Sequence, residues 1–468
     1  MVAANIGISA KLADFAACWP AERISAQTLK AAKRCLLDGL GVMLAASGLS
    51  DDIPPFADTA RALGRGEATV LGFNSQVSAP AAAFANGAMA HALDFEDSFD
   101  AAPSHPNASL LPAVLAVIET GGPCSGLELL AAIAIGCDLA CRLALSPTQP
   151  LDGRGWYPPP LFGLFGATAA VGRLLGLDPR QMLDAWSFAL CQAGGPGEIK
   201  HAGETVLRAV REAFPAQAAV TAGLLAKRNV RGFDAPFEGE GGFFRLYAGG
   251  EYDPASLLEA LGERFYIEEL SFKPWPACRG THAFIEAARD IMTQHGRPAE
   301  TIEEIRLSGG MAHRMLLEPI ERKRNPKTVI DAKFSLPFTV ATTFCFGDVT
   351  LESFTPERLA DARLHALAGK ISYEIDPQWG YDRAASGAVQ VRYADGFTCS
   401  AHVGLALGHP RHPMSDAALA EKFTDCVGHA RGGWTQASAR KFAEAIDRIE
   451  EVADVRKVLA MLKGSDRR

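Results

Sequence analysis

From residue 10 to about residue 265 the chain is written almost entirely in helical periods, and much of it in alanine and glycine. "SAQTLKAAKRCLLDGLGVMLAA" sets Leu29, Ala32, Leu36, Leu40 and Met43 on one face, inside a helix read over residues 10–48, with Ser25 and Thr28 as its cap. "SAPAAAFANGAMAHAL", "SLLPAVLAVIET", "SGLELLAAIAIGCDLACRLAL", "FGLFGATAAVGRLLGLD", "PRQMLDAWSFALCQAGG" and "FPAQAAVTAGLLAKRNV" continue the pattern, divided by Gly and Pro. Without strands to cover them, such helices must bury their faces on one another.

Beyond residue 265 the texture changes. "ETIEEIRLSGG", "GAVQVRYADGFTCSAHVGLAL" and "DVTLESF" alternate and carry β-branched residues, interleaved with helical "GTHAFIEAARDIMTQHG" and "AKFSLPFTVATTFCFG". After "GHPRHPMSD" the chain returns to helix, with Ser415 or Asp416 as an N-cap. The fold class read from this is mainly α: a large helical domain of residues 1–268 and 412–468, with an α+β lid of residues 269–411 inserted.

Composition narrows the function. With 468 residues, 48% apolar and 21% charged, the chain is globular. A net charge of -8 argues against nucleic acid as a partner. Asp138 and Arg142 interrupt the most apolar helix, which reads as buried rather than as a membrane span. The start of the chain lacks a secretory pattern, and the ten cysteines sit mostly in apolar contexts. The expected location is the cytoplasm.

Three clusters carry chemistry. "HALDFEDSFDAAPSHPNAS" crowds His91, Asp94, Glu96, Asp97, Asp100 and His105 between two apolar runs. A solvated loop suits Glu96 and Asp100. It suits His105 less, since that residue stands directly before a helix, where an imidazole can move protons. Asp94, Asp97 and His105 are ligand types for a divalent cation, but nothing in the sequence completes such a site, and no metal is expected. In "SFKPWPACRGTH", Lys273, Cys278, Arg279 and His282 fall on a Pro-rich turn entering a helix; Lys273 or Arg279 could hold a carboxylate there. "KHAGETVLRAVREAFPAQ" carries Lys200, His201, Arg208 and Arg211, by themselves read as a solvated helix face. The glycines of "GGPGEIK" and "EGEGGFF" lack the context of a nucleotide loop.

Together these stretches resemble the MmgE/PrpD family. "AKRCLLDGLGVMLAA", "ANGAMAHALDFEDSF" with "HPNASLLPAVLA", "FGATAAVGRLLGLD", "KPWPACRGTH", "DAKFSLPF" and "GHPRHPMSD" occur in that family's order. The resemblance implies a homodimer without metal or organic cofactor, an active site between the domains, and a small polycarboxylate substrate. It implies catalytic roles for Asp94, His105, Tyr157 and Lys273, and substrate contacts from Ser98, Arg208, Arg211, Cys278, Arg279 and His282. Tyr157 and Cys278 stand where the cis-aconitate decarboxylases of the family carry histidines, which speaks against that reaction. A 2-methylcitrate-type dehydratase comes first. The alternatives are an iminodisuccinate-type epimerase using Tyr157 and Lys273 as two bases, and an inactive polycarboxylate-binding homologue. Bases of these types need lowered pKa values, which clustered cations would supply.

Overall fold

The computed structural model describes residues 7–202, 205–380 and 383–463. The fold is mainly α with a smaller α+β part. Helices Ala79–Ala92, Pro106–Thr120, Gly126–Leu145, Pro158–Leu174 and Ala213–Lys227 pack side by side, and Ala26–Leu49 closes one flank. Small residues set the spacing. A Cβ on Gly136 would stand 2.6 Å from the carbonyl oxygen of Gly166, so these two helices touch backbone to backbone. A Cβ on Gly87 would stand 2.6 Å from that of Glu212. The alanine-rich helix Ala79–Ala92 can therefore lie directly against the start of Ala213–Lys227.

The end of the chain comes back to these helices. Asp416–Gly428 lies along Ala26–Leu49, and Gln436–Asp447 packs on both. Val452 accepts from the Gly126 N–H at 2.8 Å, and the Val455 N–H donates to Cys124 at 2.8 Å. The caps expected at Ser25 and Ser415 are present, accepting from Thr28 N at 3.0 Å and Ala418 N at 3.1 Å.

In the α+β part, strands β3 (Ile302–Gly310), β4 (Ile371–Asp376), β5 (Gly387–Tyr393) and β6 (Thr398–Val403) form one sheet of order β4-β3-β5-β6. Pairs β3/β5 and β5/β6 are antiparallel; β3/β4 is parallel, its crossover supplied by the helices between them. Ile305 pairs with Val391 and Leu307 with Val389, so the buried side chains share a face, which helix His282–His295 covers.

Four details differ from the sequence reading. The helix over 10–48 is two, Ile8–Cys18 and Ala26–Leu49, broken where Pro20 cannot continue a helix. A small hairpin, β1 (Arg65–Val70) with β2 (Ser75–Val77), sits in the helical part, tied down by Asn86, whose amide bonds both Leu71 N–H and the Thr69 carbonyl. "DVTLESF" is not a strand: Leu351–Phe354 makes one 3-10 turn, with the Ser353 hydroxyl accepting from Thr350 N–H. "ISYEID", which gave no separate signal, is β4.

The apolar helix Gly126–Leu145 is buried as expected, and its two charges hold the segment that leads into the α+β part. Arg142 donates to Asp138 at 2.6 Å, to the Glu259 carbonyl at 2.8 Å and to that of Arg264 at 3.0 Å. Asp138 in turn accepts from the Tyr266 N–H at 2.9 Å. Arg142→Leu strands a buried carboxylate and frees this turn. Denaturant unfolding should show a loss of about 3–5 kcal/mol, the usual consequence of breaking a buried pair on one side.

Candidate active site

The stretch between helices Ala79–Ala92 and Pro106–Thr120 is not a solvated loop. His91, Asp94, Glu96 and Asp97 are buried, and Asp100 is largely covered. Asp94 makes the turn. It takes a left-handed backbone (φ 48°), which Asp tolerates better than most residues, and its N–H donates to the His91 carbonyl at 2.9 Å. From behind, the Lys422 ammonium donates to the Phe95 carbonyl at 2.6 Å and pairs with Asp38 at 2.7 Å. From the lid side, Ser98 and Ser271 exchange backbone hydrogen bonds of 2.9 and 2.7 Å.

Two ion and hydrogen-bond systems fill the interior. The Lys273 ammonium donates to Asp94 Oδ1 at 2.6 Å and to the Asp94 carbonyl at 3.0 Å. Burial works against its charge, but the Asp94 and Glu96 carboxylates outweigh burial and hold Lys273 above its ordinary pKa. Burial also opposes ionisation of Asp94, and Lys273 wins, keeping it below the carboxylate range. The expectation of a depressed Lys273 is thus not met: it is an ammonium seated on a carboxylate. In the second system, Glu96 Oε1 contacts Nδ1 of His91 and lies 3.0 Å from Nδ1 of His105. Against burial, the surrounding His91, Lys273 and His105 hold Glu96 well below the usual range. Burial and the Arg211 guanidinium bring His91 down to about 3, so its imidazole is neutral.

Tyr157, at the start of helix Pro158–Leu174, is placed by its N–H, which donates to the Gly195 carbonyl at 2.7 Å. Cations gather on its ring: Arg211 at 5.0 Å, Lys200 at 5.4 Å and Arg208 at 5.9 Å from the centroid. The "KHAGETVLRAVREAFPAQ" segment is therefore no solvated face at this end. Arg211 and Glu212 are buried, with Arg211 Nε 2.9 Å from Glu212 Oε1, and Glu212 accepts from the Ser109 hydroxyl. Gly203 and Glu204 of that segment lie outside the described residues. Arg208 stacks 3.4 Å over the Phe334 ring. Nε of Arg208 and Nη2 of Arg211 are buried without a hydrogen-bond partner among the described residues. A cleft between residues 199–208 and 322–331 runs past Lys200, Arg208 and Arg322.

The structure brings Asp94, His105 and Lys273 into one constellation, and Tyr157, Arg208 and Arg211 into a neighbouring one. It gives the rest other surroundings. Arg279 spends its nitrogens on Asp100 at 3.1 Å, the Leu407 carbonyl at 2.8 Å and the Ala406 carbonyl at 3.1 Å. His282 faces the Ala277 carbonyl at 3.0 Å, and burial beside Arg279 takes it well below its ordinary pKa. Burial and Asp94 push the Cys278 thiol up to about 11, so it is a neutral wall and not a nucleophile. Ser98 serves the loop through its backbone. The sequence reading passed over His91 and Glu96 as partners of His105, and over Lys333 altogether. Lys333 is buried, donates to the Pro276 carbonyl at 2.8 Å, and is brought by burial down to about 7.

His91, Glu96 and His105 also present the one trio of His, Cys, Asp or Glu side chains among the described residues with ligand atoms close together, within 4.8 Å. As found, His91 hydrogen-bonds Glu96 Oε1, and His105 hydrogen-bonds the Asp97 carbonyl while standing 3.0 Å from the same Glu96 oxygen. A cation there would have to displace both ring protons and stand beside the Lys273 ammonium, so the donor set suits proton handling better than a metal.

This chain is similar to known proteins over most of its length. The family model for the MmgE/PrpD N-terminal domain matches residues 10–255, and that for the MmgE/PrpD C-terminal domain matches residues 275–450. A cis-aconitate decarboxylase-like protein, oryM, of Aspergillus oryzae is 26% identical over 470 residues, covering 94% of each chain. The cis-aconitate decarboxylase of Homo sapiens is 26% identical over 398 residues, 82% of this chain and 79% of its own. The 2-methylcitrate dehydratase of Salmonella typhimurium is 26% identical over 401 residues, 81% of each.

Asp97 gives this site a pH signature. Burial, with Asp38 and Glu96 nearby, pushes it up to about 7, and neither carboxylate oxygen has a hydrogen-bond partner among the described residues. An unfolded Asp titrates near ~3.9. Between about pH 4 and 7 the folded state thus binds one more proton than the unfolded state, and this group's contribution to stability falls as pH rises. Asn cannot ionise. Asp97→Asn should gain stability relative to wild type as pH is raised from about 4 to about 7, with a constant difference above, read by denaturant unfolding at each pH.

Proposed function

The chain belongs to the MmgE/PrpD family, and on that premise we propose that it is a lyase of the 2-methylcitrate dehydratase type, acting on a small hydroxy di- or tricarboxylic acid. The observation that carries this is the presence of two proton-moving side chains, Lys273 and His105, each on its own buried carboxylate. Dehydration needs one group to take a proton from the carbon beside a carboxylate and another to protonate the departing hydroxyl. His105 is suited to the first step and the Lys273 ammonium to the second. The C–H proton passes to His105, the C–O bond breaks, and the hydroxyl leaves as water with a proton from Lys273. Arg208 and Arg211, with buried nitrogens lacking partners, would hold the substrate carboxylates and steady the carbanion-like charge. Tyr157 and Ser98 complete the wall.

A two-base epimerase also starts from one base and one conjugate acid, and in that reading the Lys273 ammonium would be the acid and Tyr157 the base. The reading includes a homodimer working in the cytoplasm without metal or organic cofactor. Among the described residues no helix is long and apolar enough to cross a membrane.

A panel of hydroxy polycarboxylates, followed by the ultraviolet absorbance of the alkene, tests the reaction. Alkene formation supports it. Carbon dioxide release from cis-aconitate alone replaces it with decarboxylation, deuterium exchange with inversion replaces it with epimerisation, and binding without turnover leaves a polycarboxylate-binding homologue. Whatever the substrate, replacing Lys273 by Ala should lower kcat by about 10²–10⁴-fold. Since Lys273→Ala alone strands Asp94 and should cost about 3–5 kcal/mol, the double variant Asp94→Asn with Lys273→Met separates chemistry from folding: it should fold and not turn over. Dialysis against EDTA should leave the rate unchanged, and a rate lost and then restored by a divalent cation would make His91, Glu96 and His105 ligands instead.

A further inference from the structure

One oxygen atom, Glu96 Oε1, receives both histidine rings of the site. His105 Nδ1 is 3.0 Å from it and 2.9 Å from the Asp97 carbonyl oxygen. A carbonyl can only accept, and the ionised Glu96 carboxylate can only accept. Nδ1 of His105 therefore carries a hydrogen whatever the charge of the ring, and proton exchange is confined to Nε2. The same logic puts a hydrogen on Nδ1 of His91, which contacts that oxygen from the other side, the two ring centroids being 5.2 Å apart. Nε2 of His91 is buried, has no hydrogen-bond partner, and stands 3.8 Å from Asp94 Oδ1. His91 thus lies between the two carboxylates and hydrogen-bonds only one of them.

That asymmetry has a mechanical result. Glu96 is hydrogen-bonded by His91 and stands 3.0 Å from Nδ1 of His105, while Lys273 keeps to Asp94 at 2.6 Å. A charged His91 would neutralise Glu96 and weaken its hold on His105; burial and Arg211 keep the ring neutral, at about 3. We propose that Glu96 and His91 are positioning residues: Glu96, pinned by the His91 ring and 3.0 Å from Nδ1 of His105, fixes together with the Asp97 carbonyl the ring orientation that leaves Nε2 as the atom that exchanges a proton with substrate. This rests on the reading that His105 moves the substrate proton, but its structural half can be measured without any substrate.

Enzyme labelled with ¹⁵N-histidine provides that measurement, with resonances assigned from their loss in His105→Gln and His91→Gln. Both rings should show a protonated Nδ1 and, when neutral, an unprotonated Nε2. A hydrogen on Nε2 of neutral His105 overturns the proposal. Kinetics give the second arm. His91→Asn keeps an N–H donor near the position of Nδ1, whereas His91→Phe keeps the ring and loses the donor. His91→Phe should lower kcat at least about tenfold with KM unchanged, while His91→Asn retains most of the rate. Equal losses in both variants, or no loss in either, overturn the role of the donor. If no polycarboxylate is turned over at all, the lyase reading fails, and the ring assignments alone decide this one.

Discussion

The Asp94–Lys273 ion pair is the contact around which the rest of the site is arranged. Its two residues lie 179 apart in sequence, one at the end of an alanine-rich helix and one on the turn that opens the lid. Removing either ion from water costs several kcal/mol, and only a close partner offsets that. Each is therefore buried because the other is there. Further ties lie within a few residues of the pair: the Ser98–Ser271 bridge, and Asp100 accepting from both Ser271 and Arg279. The turn carrying Lys273 is further fixed by Phe272 N–H on the Gly408 carbonyl and by Cys278 N–H on that of Lys333. What reads in sequence as a second binding cluster is in large part the clamp that holds one lysine in place.

Helix spacing supplies the other half of the site. Because Gly87 and its alanine neighbours let Ala79–Ala92 lie against the Glu212 backbone, Arg211 is carried in beside His91 and Tyr157. A larger side chain at Gly87 would move that guanidinium outward and leave His91 without the positive charge that helps keep it neutral. The small-residue composition is thus a site determinant as well as a packing device. The cations around the Tyr157 ring are a consequence of the same closeness. An aromatic face tolerates them through its quadrupole where a protonated imidazole would repel them.

Much of this was legible, and the failures have physical reasons. Helical periods, the caps at Ser25 and Ser415, the β3 and β5–β6 signals and the buried nature of Gly126–Leu145 all depend on local pattern, and they hold. Strand β4 depends on β3 for its pairing and is only six residues long, so its own sequence says little. Glu96 and Arg211 look like surface charges because sequence shows residue type and not burial; Tyr157, whose ring Arg211 approaches, comes from another element. Arg279 and His282 look like ligand groups for the opposite reason. Their chemistry is right, but nearby carbonyls and Asp100 have already taken it. Family resemblance named Asp94, His105 and Lys273 together, and could not say which of them is charged.

That last point turns on two of the buried lysines, Lys273 and Lys333. The expectation was that crowding by cations would depress a lysine at this site. The lysine that is lowered there is Lys333, and burial lowers it first, with Lys273 adding to the effect. Lys273 has a carboxylate at 2.6 Å and is held above its ordinary range. Lys333 has a peptide carbonyl at 2.8 Å and the Phe354 ring at 3.9 Å, neither of which bears a full charge, and it faces Lys273 as well. Burial bears on both ammonium ions, and Asp94 is claimed by the nearer. The second therefore drops to about 7. Residue type is identical in the two cases; the partner decides which lysine is held as an ammonium and which can be without its proton, and a partner 179 residues away is not written in the sequence around either.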